Sequence, residues 1–168
     1  MKALLFAASV CAMSFFAATP ATAETLGYPG MENASFIIDY PDDWEMAPGE
    51  SLGDYVSLTS PSGVTLQLRT VPATETAIDE AVAENVKFLE ETFTNVQLGD
   101  AEEVESGGLS GSLVLGSGID AEKQAILFAM YFIALPDGKM AEIWYAAFKG
   151  DTKGTAAASA ILNSFRTK

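Results

Sequence analysis

Two hydrophobic periods succeed one another along the chain. Val64, Leu66 and Leu68 alternate with Thr65, Gln67 and Arg69, the period of two that buries one face of a strand and wets the other. "DYVSLTS" (54–60) precedes this run across "PSG" (61–63), so the pair predicts a β-hairpin with one wet face. From Thr76 the spacing changes. Ile78, Val82, Val86, Leu89 and Phe93 follow at intervals of 4, 4, 3 and 4, with acids and Lys87 between them. That stripe predicts an amphipathic helix ending near Asn95. Thr76 followed by Asp79 resembles a capping box with Asp in place of Glu or Gln.

Strand patterns occupy most of the remainder. Phe36 to Asp39 is β-rich and stops at Pro41, whereas "ETLGYPGMENAS" (24–35) has no period and reads as an irregular lead-in. Val96 to Leu98 predicts a short strand. Leu109, Gly111, Leu113 and Leu115 alternate with Ser110, Ser112 and Val114, giving one buried face. "QAILFAMYFIAL" (124–135) is apolar on both faces, is bounded by turn signals, and is too short to span a bilayer. It predicts a central strand covered from both sides. "PDGK" (136–139) turns the chain back into "MAEIWYAAF" (140–148), and Asp151 or Thr152 caps a last helix with Ala158, Ile161, Leu162 and Phe165 on one face. Strands, helix, strands, helix, joined by hairpin-length links, give an α+β fold: an antiparallel sheet flanked by helices. No repeat or internal linker interrupts it, so residues 24–168 read as a single domain.

The first residues follow another logic. Lys2, the apolar and small run from Ala3 to Ala18, and the ending Ala21-Thr22-Ala23 form a secretory signal peptide over 1–23, with cleavage expected before Glu24. Cys11 lies inside that run without the small residue before it that a lipid anchor needs, so no stable membrane anchor is expected. It is also the one cysteine of the chain. The exported protein then has no disulfide, in a compartment that permits them.

Charge and absences narrow the chemistry. Acids outnumber Lys and Arg by 23 to 9, for a net charge of −14, and histidine is absent. Such acidity repels nucleic acid and anionic lipid, keeps an exported protein soluble, and suits cations or a basic partner. Without histidine or an exported cysteine, Ser-His-Asp and Cys-His systems and nearly all zinc and copper sites are excluded. Carboxylate chemistry, Ser-Lys pairs and oxygen-ligand metals remain. "DYPDDWEM" (39–46) brings Asp39, Asp42 and Asp43 close to Trp44 but lacks the alternating acids, central glycine and closing glutamate of a calcium loop. It reads as a corner in which Pro41 ends a strand and Trp44 folds into the core. "GDAEEVESGG" (99–108) reads as a solvated loop or edge strand, with a cation or basic-partner patch as its functional alternative. Ser110 and Ser112 have no lysine nearby, and "GSGIDAEK" (116–123) lacks phosphate-loop spacing. Tyr131, Trp144, Tyr145 and Phe148 crowd two neighbouring strands. As a functional reading they would line a groove between sheet and helix for an apolar ligand or a partner.

"F-x-I-x-Y-P-x-x-W" at Phe36, Ile38, Tyr40, Pro41 and Trp44, then "VSLTSPSGVTLQL", a long amphipathic helix, the "PDGK" hairpin and a terminal "AILNSFR" (160–166) together resemble the PsbP-like superfamily. That group includes the extrinsic photosystem II subunit, a yeast Ran-binding release factor and DcrB-like bacterial envelope proteins. The resemblance covers Phe36 to Arg166. It implies an α/β/α sandwich around an antiparallel sheet and a mainly non-catalytic group whose members bind proteins or assist assembly. The expectation is therefore an exported accessory or protein-binding domain with an envelope protein partner, without catalytic residues, cofactor or metal. A carrier or sensor of a small apolar ligand or divalent cation is the alternative. A carboxylate-only hydrolase ranks last.

Overall fold

A computed structural model describes residues 23–50 and 54–168; the signal-peptide reading over 1–23 lies, all but Ala23, outside the described residues. Strands β1 (Ala23–Tyr28) and β2 (Phe36–Pro41) pair antiparallel as a separate two-stranded sheet. The expected irregular lead-in is thus half strand. Its outer residues are exposed and carry no alternation, and its backbone pairing is set by the neighbour, β2.

The main sheet takes β3 (Glu45–Ala47), β4 (Val56–Thr59), β5 (Thr65–Pro72), β6 (Thr94–Leu98), β7 (Glu102–Ser106), β8 (Leu109–Ile119), β9 (Ala125–Ala134) and β10 (Lys139–Phe148). Its order is β3-β4-β5-β10-β9-β8-β6, with β7 also paired to β8. All of these pairings are antiparallel. The long apolar strand, β9, lies inside the sheet and is buried on both faces over Phe128–Met130. Near the edge, β8 is less covered than its alternation implies: Leu115 stays 51% exposed. Gly116 of β8 stands opposite Phe128, whose ring leans across it, so a Cβ there would enter the ring. The acidic 99–108 stretch contains strand β7, which a turn through Gly107 and Gly108 returns into β8.

Helix α1 (Glu75–Thr92) begins two residues earlier than its pattern suggests. Thr74 is the N-cap, its Oγ1 accepting from Ala77 N at 3.3 Å, and the Thr76–Asp79 box is not the cap. The buried face is also rotated from the expected stripe. Ala81, Asn85 and Leu89 are buried, while Val82 is 39% exposed. Helix α2 (Thr152–Asn163) starts as expected at Asp151, whose Oδ1 accepts from Gly154 N at 2.8 Å, and buries Ala158 and Ile161.

Alternation along β10 sorts the core into two clusters. Ala141, Ile143 and Ala147 join Phe36, Ile38, Leu66, Ile161 and Phe165; Trp144 joins Leu89, Phe128, Met130 and Phe132. Trp144 meets Phe88 of α1, and the next residue, Tyr145, reaches Thr155 of α2. Successive side chains in a strand point to opposite faces, so α1 and α2 touch different faces. Each fully buried Leu, Ile or Phe contributes roughly 1.5–3 kcal/mol.

Candidate functional site

The "DYPDDWEM" stretch is a corner. Trp44 is buried, its backbone N–H donates to Pro41 O at 3.1 Å, and Asp42 and Asp43 are exposed. Asp39 faces the chain end, where both guanidinium nitrogens of Arg166 reach its two oxygens at 2.9 Å. Among the described residues no three His, Cys, Asp or Glu side chains gather in a metal-binding group.

The four aromatics proposed as one groove are divided by strand alternation. Trp144 and Phe148 pack with the cluster beneath α1, while Tyr131 and Tyr145 pack with the cluster beneath α2. They do not share a groove. Trp144 alone of the four lines a groove of about 290 Å³ with Tyr55, Gln67, Glu84, Asn85 and Phe88. Gln67 and Trp144 are direct cross-strand partners on β5 and β10; Glu84, Asn85 and Phe88 descend from α1. The Phe88 ring stands edge-on to Trp144 at 5.5 Å, and Phe128 stacks on the indole at 5.9 Å. Phe88 remains 45% exposed.

Beside this groove lies a polar network that the sequence reading passed over. Glu142 is fully buried. Its Oε1 accepts from Tyr55 OH at 2.7 Å and Asn85 Nδ2 at 2.6 Å, and its Oε2 accepts from Arg69 Nε at 2.6 Å. Arg69 is the direct cross-strand neighbour of Glu142, donates from NH2 to Glu84 at 2.9 Å, and lies 4.4 Å over the Tyr55 ring. Burial and then the hydrogen bond to Glu142 push the Tyr55 hydroxyl well above its ordinary value. Burial opposes the Arg69 charge, but hydrogen bonds to Glu142 and Glu84 outweigh it and raise the guanidinium further. The hairpin face expected to be wet, with Gln67 and Arg69, therefore turns toward α1. Asn85 is drawn inward for the same reason, since a buried carboxylate requires donors.

Both oxygens of Glu142 are engaged, so this carboxylate ties Arg69, Tyr55 and Asn85 together. The indole differs. Trp144 Nε1 is buried and has no hydrogen-bond partner among the described residues. A larger opening of about 500 Å³ lies between the β2–β3 corner, the β4–β5 turn and α2, lined by Trp44, Pro61, Lys153 and Ala157 among others. Its serines are already committed, Ser62 Oγ donating to Asp151 Oδ2 at 2.6 Å and Ser60 Oγ pairing with Ser62 Oγ at 3.0 Å, while the charged residues Asp43 and Lys153 also line it. The groove under α1, which sets a half-exposed aromatic, Phe88, beside the exposed carboxylate of Glu84, is the better site.

Sequence comparison finds neither a matching protein-family model nor a matching curated protein. Solved structures do match. LpqN of Mycobacterium tuberculosis, described as involved in cell envelope biogenesis, is 17% identical with a TM-score of 0.53, over 90% of this chain and 88% of its own. The cyanobacterial PsbP of Synechocystis sp. PCC 6803 is 13% identical with a TM-score of 0.58, over 94% and 99%. The Ran-binding protein Mog1p of Saccharomyces cerevisiae is 10% identical with a TM-score of 0.51, over 88% and 96%. At these identities the likeness concerns the fold, which is PsbP-like.

Proposed function

We propose that the chain is an exported accessory protein of the cell envelope that docks on another protein and catalyses no reaction. We read its two helices and the β1–β2 hairpin as outer layers of an α/β/α sandwich, with one domain over 24–168. The observation that carries the reading is the groove under α1. The buried carboxylate beside it, Glu142, is saturated by Arg69, Tyr55 and Asn85, the groove's own acid, Glu84, is exposed and paired to Arg69 through one oxygen, and Phe88 stays half in water at the rim. Such a site suits recognition. The envelope setting draws support from the likeness to LpqN, and protein binding from the likeness to Mog1p. No helix among the described residues is long and apolar enough to cross a membrane.

The test is capture from the native envelope after mild cross-linking, with wild-type and Phe88→Ala proteins of equal circular dichroism. One reproducible protein held by the wild type and depleted about tenfold with the variant supports docking, as truncation of an interface anchor costs on the order of 1–2 kcal/mol or more. Recovery of the wild type alone would sink it. The opening beside Trp44 favours the second reading, a carrier of a small apolar ligand, and native mass spectrometry of the purified protein addresses that directly.

A further inference from the structure

We infer that the groove under α1 receives a lysine side chain from a basic segment of the partner, with the ammonium on Glu84 and the aliphatic stem against Phe88 and Trp144. This rests on the docking reading and specifies its chemistry. The electrostatics come first. Helix α1 carries Glu75, Asp79, Glu80, Glu84, Glu90 and Glu91 against Lys87 alone, within a chain of net charge −14. A surface of one sign attracts the opposite sign and repels its own kind, so a second copy of this chain is a poor occupant.

The groove itself supplies the detail. Glu84 is 67% exposed and gives Oε2 to Arg69, while its Oε1 has no hydrogen bond among the described residues. One free oxygen suits a compact ammonium, whereas a guanidinium favours two acceptors in one plane. Phe88 and Trp144 provide apolar surface for a lysine stem, and aromatic faces favour cations. The fold already holds one cation in this manner: Arg69 lies over Tyr55 and reaches the same carboxylate.

A water-soluble carbodiimide tests this in native envelopes. It activates the Glu84 carboxyl, the partner's Nζ attacks, a C–N amide bond forms, and the carboxyl oxygen leaves with the carbodiimide as its urea. The expected product is an isopeptide between Glu84 and a partner lysine, mapped by mass spectrometry. Glu84→Gln should abolish that linkage and reduce partner capture about threefold, in line with a partly exposed ion pair. Glu90→Gln should leave both unchanged. A partner linked only through other carboxylates overturns the lysine site and leaves docking intact. No linked protein at all overturns the lysine site, and the capture experiment then decides docking by itself.

Discussion

A single carboxylate organises the face beneath α1. Glu142 takes three hydrogen bonds from Tyr55, Asn85 and Arg69 at 2.6–2.7 Å with no exposure to water. Removing one member of a buried pair strands the other, at a cost of about 3–5 kcal/mol. Glu142→Ala should therefore lower the urea midpoint by that equivalent. Glu142→Leu combined with Arg69→Met, which removes both charges together, should recover most of the loss. A Glu142→Ala midpoint shifted no more than that of a surface substitution would refute the anchoring role. Little of this was legible beforehand. Glu142 sits in "MAEIWYAAF" as one polar residue in an apolar run, and Arg69 alternates with Leu68 as a solvent-facing residue does. Their cross-strand pairing depends on the β5–β10 register, which joins segments separated by the whole of α1 and four further strands.

Elements were more readable than their orientation. The period of helix α1 was plain, yet its buried face is centred on Ala81, Asn85 and Leu89, because Asn85 supplies a donor to Glu142. A hydrophobic stripe weighs apolar residues and cannot credit an asparagine with a reason to be inside. The aromatic groove failed on another count: Trp144 and Tyr145 are adjacent in a strand, so they could not share a face. That alternation was available in the sequence. Nearness along the chain was mistaken for nearness in space. The helix start gives a clean test. Thr74 accepts from Ala77 N, so Thr74→Ala should cost about 1 kcal/mol by chemical denaturation. Thr76→Ala, at the position that the sequence pattern favours, should stay within about 0.5 kcal/mol. The reverse order would restore the capping box.

At the scale of the whole molecule, the chain end closes the fold onto the first hairpin. Ser164 Oγ accepts from Asp39 N at 2.8 Å, Phe165 stacks on Phe36 at 5.1 Å, and Arg166 exchanges backbone hydrogen bonds with Ile37 at 2.7 and 3.0 Å. Gly107 lies against Phe165 O, where a Cβ would collide. These contacts explain why "SFR" and the "F-x-I-x-Y-P" strand were read together as parts of one pattern: each residue of the first has a partner on or beside the second. The ion pair of Arg166 with Asp39 makes this closure sensitive to acid. Hydrogen bonds from Arg166, then from Thr25, hold the Asp39 carboxyl below its usual value of 3.8. A depressed folded-state value adds stability above the unfolded-state value and loses it as pH falls through the folded one. The stability difference between wild type and Asp39→Asn should accordingly be constant from pH 7 to about 5, then shrink below pH ~4. Urea midpoints at pH 7, 5, 3.5 and 2.5 measure it. A difference unchanged down to pH 2.5 would mean that the backbone and Phe165 hold the chain end without help from the ion pair.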